Sequence, residues 1–164
     1  MEKPRIKIGH SFDIHKLINK TNNSPLKLGG IIIEHHKSLQ GHSDADCVIH
    51  AIIEALLGAC GLRSIGFYFP DTDSSYKDID STLLLEKTYK IIKENNFLIG
   101  NIDVMIYAQK PKLEPYIKKM IELLANILEI KENDVTIKAT TFEGLDSIGN
   151  EDAIAASAVA LIYY

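Results

Sequence analysis

Apolar and polar positions change period several times along the chain, and each change marks an element. Arg5 to His10 reads RIKIGH, an alternation that predicts a short half-buried strand ending near Gly9. The turn signal LGG at 28–30 precedes Ile31 to His35, a β-branched run that predicts a second strand, with the polar stretch LINKTNNSP at 17–25 as the loop between them. From Asp44 to Gly58 the spacing becomes helical, with Ser43 or Asp44 as N-cap and Gly58 as the stop. The segment CGLRSIGFYFPDTDSSY has no period, and Pro70 forbids regular continuation. Helical spacing returns from Ser81 to Glu94, where Leu84, Leu85, Thr88, Ile91 and Ile92 form one apolar stripe, and Gly100 marks the stop after NNFLI. Asn101 to Gln109 alternates Ile102, Val104 and Ile106 against Asp103, Met105 and Tyr107, which predicts a strand. A helix restarts near Leu113 with Pro115 in its first turn. VTIKATT, 135–141, reads as a strand with Thr136, Lys138 and Thr140 on one face and Val135, Ile137 and Ala139 on the other. AIAASAVALIYY, 153–164, is apolar on both faces and predicts a buried strand despite its alanines. Strands interleaved with helices make an α/β or α+β chain, one domain over residues 1–164, with a mixed sheet of four to five strands and helices packed on one face.

Composition narrows the class. A chain of 164 residues can bury roughly 70% of its unfolded surface, so a normal core is available. With 46% hydrophobic residues, 24% charged and a formal charge of -4, it is not built mainly to hold nucleic acid, although local positive charge would still admit anionic small molecules. Two cysteines, Cys47 and Cys60, are too few for a disulfide framework and point to a reducing compartment. The opening MEKPRIKIG lacks the apolar region of a secretory signal, and no run approaches the roughly 18 apolar residues of a membrane span. A soluble intracellular protein with no membrane partner is expected.

Candidate chemistry begins at GHSFDIHKL. Asp13 and His15 are two residues apart on an extended segment, so they project to one side and can converge on one ion. His50, on the first helix, supplies a third ligand, and three ligands with an open fourth position are the catalytic rather than the structural pattern for zinc. Asp46, one turn before His50, can orient its imidazole, and Cys47 is a rival ligand on the same helix face, though a lone helical cysteine is more often a buried small hydrophobe. His35 and His36 read as successive strand-edge residues pointing opposite ways, and His10 and His42 as polar groups near the site. HSD at 42–44 is either a plain N-cap or an anion seat at a helix N-terminus, with the Ser43 hydroxyl as an added donor. In ATTFEGL, Thr140 and Thr141 can donate to phosphate oxygens while Glu143 holds a hard cation such as Mg²⁺; the alternative is a strand followed by a turn. PDTD at 70–73 reads as a turn with capping aspartates.

Taken together, DIH at 13–15, HSDADCVIHA at 42–51, ALLGA at 55–59, FPDTD at 69–73, NIDVMIYAQKPKL at 101–113 and VTIKATT at 135–141 carry a resemblance. In their order and spacing the chain resembles the 2-C-methyl-D-erythritol 2,4-cyclodiphosphate synthase family, the cyclising lyases of the non-mevalonate route to isoprenoids and terpenoids. The likeness runs from Ile6 to Ile162. It implies Asp13, His15 and His50 as zinc ligands, and His42 and Ser43 against the methylerythritol phosphate end of the substrate. It also implies Asp71 and Asp73 on a loop lining that end, Ser64 and Gly66 where substrate hydroxyls are met, and Ala108, Lys112 and Leu113 around a cytosine ring. Ala139, Thr140 and Thr141 would bind the cytidine diphosphate, and Glu143 a second divalent ion, magnesium or manganese. Asp13, His15, His50, Thr141 and Glu143 form the implied catalytic set.

The implied reaction converts 4-diphosphocytidyl-2-C-methyl-D-erythritol 2-phosphate to the cyclic diphosphate plus CMP by metal-assisted intramolecular phosphoryl transfer. Its implied setting is a homotrimer with active sites shared between neighbours, in the cytoplasm of a bacterium or the plastid of a eukaryote. The chain departs from the family pattern at three places. Ser64 stands where an aspartate is usual, Ser11 replaces a frequent glycine, and Ser147 and Asn150 stand where an arginine and an aromatic often flank a central cavity. Two other classes share parts of the pattern: a zinc phosphoesterase using the same Asp, His and His, and a non-catalytic isoprenoid-binding protein.

Overall fold

The strand that opens the sheet is much longer than RIKIGH. The computed structural model describes residues 5–20 and 24–164, and in it β1 spans Ile6–Asn19. The alternation continues in the same phase through SFDIH, with Ile6 and Ile8 already on the exposed face. Phe12 and Ile14 point to an exposed face, while Ser11, Asp13 and His15 point to the face that carries the core. Polar residues on the inner face are what made the strand seem to end, and they are there because the site is there. The polar loop at 17–25 is partly strand, since β1 reaches Asn19, and residues 21–23 lie outside the described residues.

Two short strands, β2 (Leu26–Leu28) and β3 (Ile31–Ile33), form a hairpin across Gly29 and Gly30, both at positive φ as the LGG signal requires. β4 (Lys37–Gln40) then pairs with the far end of β1. His35 and His36 fall in the turn between β3 and β4, not on a strand, and their rings lie together with centroids 4.4 Å apart instead of facing opposite ways. α1 covers Cys47–Ala59, so it starts later than HSD, with Asp46 as its N-cap. After the short α2 (Ile65–Tyr68), α3 runs over Ser81–Glu94 as its stripe predicts. Gly100 is not the stop of that helix. β5 spans Leu98–Tyr107, and Gly100 sits at a bulge between Ile99 and Asn101, against the Leu161 side chain. α4 (Glu114–Ile127), β6 (Val135–Thr140), the short α5 (Asp146–Gly149) and β7 (Ala153–Tyr163) complete the chain.

The architecture is a mixed α/β single domain. Its five-stranded sheet has the order β4-β1-β7-β5-β6, with only β5 and β6 parallel. α1 packs on β1 and β7, α4 on β6, and α3 on α1, so the main helices share one face of the sheet. Ile49, Ile52, Ile53 and Leu56 of α1 are fully buried against the inward residues Val104, Ile106, Ala156 and Ala158. The opposite face leaves Ile6, Ile8, Phe12, Ile14, Leu98 and Val159 exposed.

Candidate active site

Asp13 and His15 leave β1 toward α1, which lies on the strand at very short range. A Cβ on Gly9 would fall 1.8 Å from the Ala55 carbonyl oxygen, and Ser11 Oγ donates to the Ala51 carbonyl at 2.6 Å. This docking carries His50, the residue before Ala51, over the two β1 side chains. Asp13 Oδ2 lies 2.9 Å from His15 Nε2 and 3.2 Å from His50 Nδ1, and the two ring nitrogens are 3.2 Å apart.

The other nitrogens of the two rings decide what this triangle is. His15 Nδ1 is 2.9 Å from the Gln40 carbonyl, which only accepts, so Nδ1 carries the proton and Nε2 offers a lone pair. His50 Nε2 is 3.0 Å from Ser43 Oγ and 3.0 Å from Ser81 Oγ. Ser81 donates its own proton to Asp44, so its oxygen accepts from His50 Nε2–H and leaves Nδ1 bare. A carboxylate oxygen and two bare imidazole nitrogens then aim at one point, which is a cation's environment. Zinc with bonds of about 2.0–2.1 Å in a tetrahedron sets its ligands about 3.3 Å apart, close to the three separations here. The donor set therefore fits zinc, and it is the one such group of three among the described residues. Burial works against charge on Asp13, but protons shared with it by the facing imidazole nitrogens outweigh burial and hold the carboxyl well below its ordinary range; a bound cation would take the place of those protons. Burial likewise disfavours charge on His15, yet Asp13 beside it and the Gln40 carbonyl shift it upward.

Asp46 does not orient His50. Its two oxygens accept from the Gly29 and Gly30 amides at 2.9 and 2.7 Å and from Ile49 N at 3.1 Å, which ties the β2–β3 hairpin to the start of α1. Cys47 is fully buried in the core and outside the triangle, its thiol pushed well up by burial. His10 is exposed on the other face of β1, away from the site. Around the α1 N-terminus Ser43 Oγ and Asp44 Oδ1 accept from the Ala45 and Asp46 amides, and Asp46 caps the helix by accepting from Ile49 N.

The triangle opens into a cleft of about 390 Å³, lined also by His42, Ser43, Gly66 and Asp71. His42 Nδ1 stands 3.9 Å from Asp71 Oδ1 across it. Ser64 and Asp73 lie outside its walls. Ser64 is the exposed N-cap residue of α2, and Asp73 caps a single turn by accepting from Ser75 N at 2.9 Å. A separate hollow of about 230 Å³ is lined by Ala108, Lys112, Leu113, Ala139, Thr140 and Thr141, together with Gln109 and Pro111. Glu143 sits on the turn beyond, accepting from Thr141 Oγ1 at 3.0 Å, and is not among the residues gathered at the triangle. The register puts both places at the same level of the sheet: Asp13 pairs with Ala156, Ala156 with Ile106, and Ile106 with Ala139. Three strand spacings separate them, about 14 Å. Glu54 and Ser81 had no signal as site residues in the sequence; Glu54 lines the cleft, and Ser81 reads only as the first residue of a helix.

Residues 6–163 match the YgbB family. The chain is 46% identical over 162 residues to the 2-C-methyl-D-erythritol 2,4-cyclodiphosphate synthase of Porphyromonas gingivalis, covering 99% of this chain and 98% of that protein. Among solved structures it is similar to IspF of Plasmodium falciparum in a CDP complex, at 34% identity and a TM-score of 0.83 over 96% of both chains. It is also similar to the bifunctional IspDF of Campylobacter jejuni, at 36% identity and a TM-score of 0.93, covering 99% of this chain and 43% of that one.

Proposed function

The chain belongs to the YgbB family, whose relatives are cyclising enzymes of isoprenoid biosynthesis, and we propose that it cyclises 4-diphosphocytidyl-2-C-methyl-D-erythritol 2-phosphate with release of CMP. The observation that carries this reading is the triangle of Asp13 Oδ2, His15 Nε2 and His50 Nδ1 in the wall of a cleft that His42, Ser43 and Asp71 also line. Asp13, His15 and His50 would hold zinc and Glu143 a magnesium or manganese ion, supplying the positive charge that lets two phosphate groups approach. The protein's own residues do the folding of the substrate. His42 and Ser43 bind the phosphate at the methylerythritol end, Gly66 and Asp71 wall in its hydroxyls, and Thr140 and Thr141 hold the diphosphate. Ala108, Lys112 and Leu113 clasp the cytosine ring; they share a hollow of about 230 Å³, and a solved relative binds CDP. Holding both ends of a flexible chain in an attacking geometry can lower the barrier by about 7–11 kcal/mol. The 2-phosphate oxygen is already an anion, so no side chain has to remove a proton from it.

The working form in this reading is a homotrimer with shared sites. Two features support it: the apolar face of the sheet is open, and one protomer keeps the metal cleft and the ring hollow apart. No helix among the described residues is long and apolar enough to cross a membrane, and the relative in Porphyromonas gingivalis favours a bacterial cytoplasm over a plastid as the setting.

Phosphorus NMR of the protein incubated with the cytidylated substrate tests the reaction. A cyclic diphosphate and CMP should appear together and vanish with a chelator, while a linear phosphate product would mean a phosphoesterase. Asp13→Ala and His50→Ala should each leave a folded protein with very little turnover. Glu143→Gln should flatten the response to added Mg²⁺ or Mn²⁺, and an unchanged titration would remove Glu143 from the site.

A further inference from the structure

The His50 ring is gripped from behind as well as in front. Ser81 Oγ, 3.0 Å from His50 Nε2, hydrogen bonds to Asp44 Oδ1, while Asp44 Oδ2 accepts from Ser81 N at 3.0 Å. Lys27 Nζ closes the chain, 3.2 Å from Asp44 Oδ2 and also paired with Asp80. Asp80 in turn caps α3 through Thr82 N at 2.9 Å. The row Lys27, Asp44, Ser81, His50 therefore joins β2, the turn before α1, the first residue of α3 and α1 itself. Ser81 is fully buried, and Lys27 and Asp44 are largely covered.

We infer that Ser81, anchored by Asp44 and Lys27, is the positioning residue of the metal centre, fixing the tautomer and tilt of His50. Lys27 Nζ and the Asp46 and Ser81 amides hold the Asp44 carboxylate as an acceptor, so the Ser81 hydroxyl proton has one place to go. Its oxygen is then an obligatory acceptor for Nε2–H, and Nδ1 must present its lone pair toward Asp13 and His15. Ser43 reaches the same nitrogen, but it lines the cleft where a phosphate would compete for its hydroxyl. Ser81 does not line the cleft, so its hold on His50 persists through turnover.

This inference rests on the metal-centre reading above, and one set of measurements separates the two. Zinc affinity by chelator competition, the visible spectrum of the Co²⁺-substituted protein and the melting temperature of the metal-free protein are compared for wild type, Ser81→Ala, Asp44→Asn and the double variant. Ser81→Ala should bind zinc about 10–100-fold more weakly and shift the cobalt bands. The double variant should bind no more weakly than Ser81→Ala, because both changes cut one chain. Wild-type affinity and spectrum in Ser81→Ala would overturn the inference, as would additive losses in the double variant. Should Ser81→Ala fail to fold, Asp44→Asn interrogates the same chain without opening a hole, and an unchanged cobalt spectrum there would also overturn it. A wild-type protein that bound no zinc, or a His50→Ala variant that bound it normally, would instead defeat the metal-centre reading.

Discussion

A methyl group at position 9 would have nowhere to go. Its nearest neighbour would be a backbone carbonyl of α1, which cannot swing aside as a side chain can, so Gly9→Ala must lift the helix from the strand. Overpacking of this kind costs about 1–3 kcal/mol, and a urea melt should show the loss. Because His50 rides on α1, the same variant should also bind zinc more weakly, whereas a destabilising change of equal size at a site remote from α1 should leave zinc affinity alone. Asp13, His15 and His50 were legible as candidates because a two-residue spacing on a strand and a histidine on the next helix need little knowledge of the fold, but it was the family resemblance that singled them out as a ligand set. Asp46 was misleading for the same reason that it is useful: its carboxylate faces the Gly29 and Gly30 amides, a partnership across 16 or 17 residues that no helical spacing reveals.

α3 shows what an amphipathic stripe does and does not tell. Its limits follow from the stripe, but its N-terminus is fixed by Asp80, whose side chain accepts from Thr82 N and meets Lys27. Asp80→Ala should cost about 1 kcal/mol for the lost cap, read from thermal melts. Burial tends to raise the Asp80 carboxyl, but hydrogen bonds from Lys27 and Thr82 prevail and hold it below its ordinary range. The folded form thus gives up this proton at lower pH than the unfolded chain does. Its contribution is whole at neutral pH, begins to fall below about pH 4, and is lost as pH drops through the folded value. Between pH 7 and pH 5 the gap between wild type and Asp80→Ala should therefore be constant, and it should narrow below pH 4. The strands that escaped the sequence reading, β2 and β4, are three and four residues long, too short for alternation to stand out, and the missed helices α2 and α5 are single turns. The far half of β1 escaped because its polar residues point inward.

For the molecule as a whole, the uncovered sheet face sets the expectation. Ile8, 66% exposed at its middle, should be buried by subunit association, so Ile8→Asp should yield monomers in sedimentation equilibrium. Those monomers should still bind zinc at Asp13, His15 and His50 but release little CMP, since the ring hollow of a neighbour is then missing. Monomers with full turnover would end the shared-site reading. Strand order carries a different consequence. β7, made after every other strand, is inserted between β1 and β5, and the two do not pair with each other. On the ribosome the growing polypeptide can curl α1 and α3 as they emerge, yet its two halves stay unzipped until the final ladder arrives, so an arrested nascent chain released before Ala153 should be a ready client for chaperones.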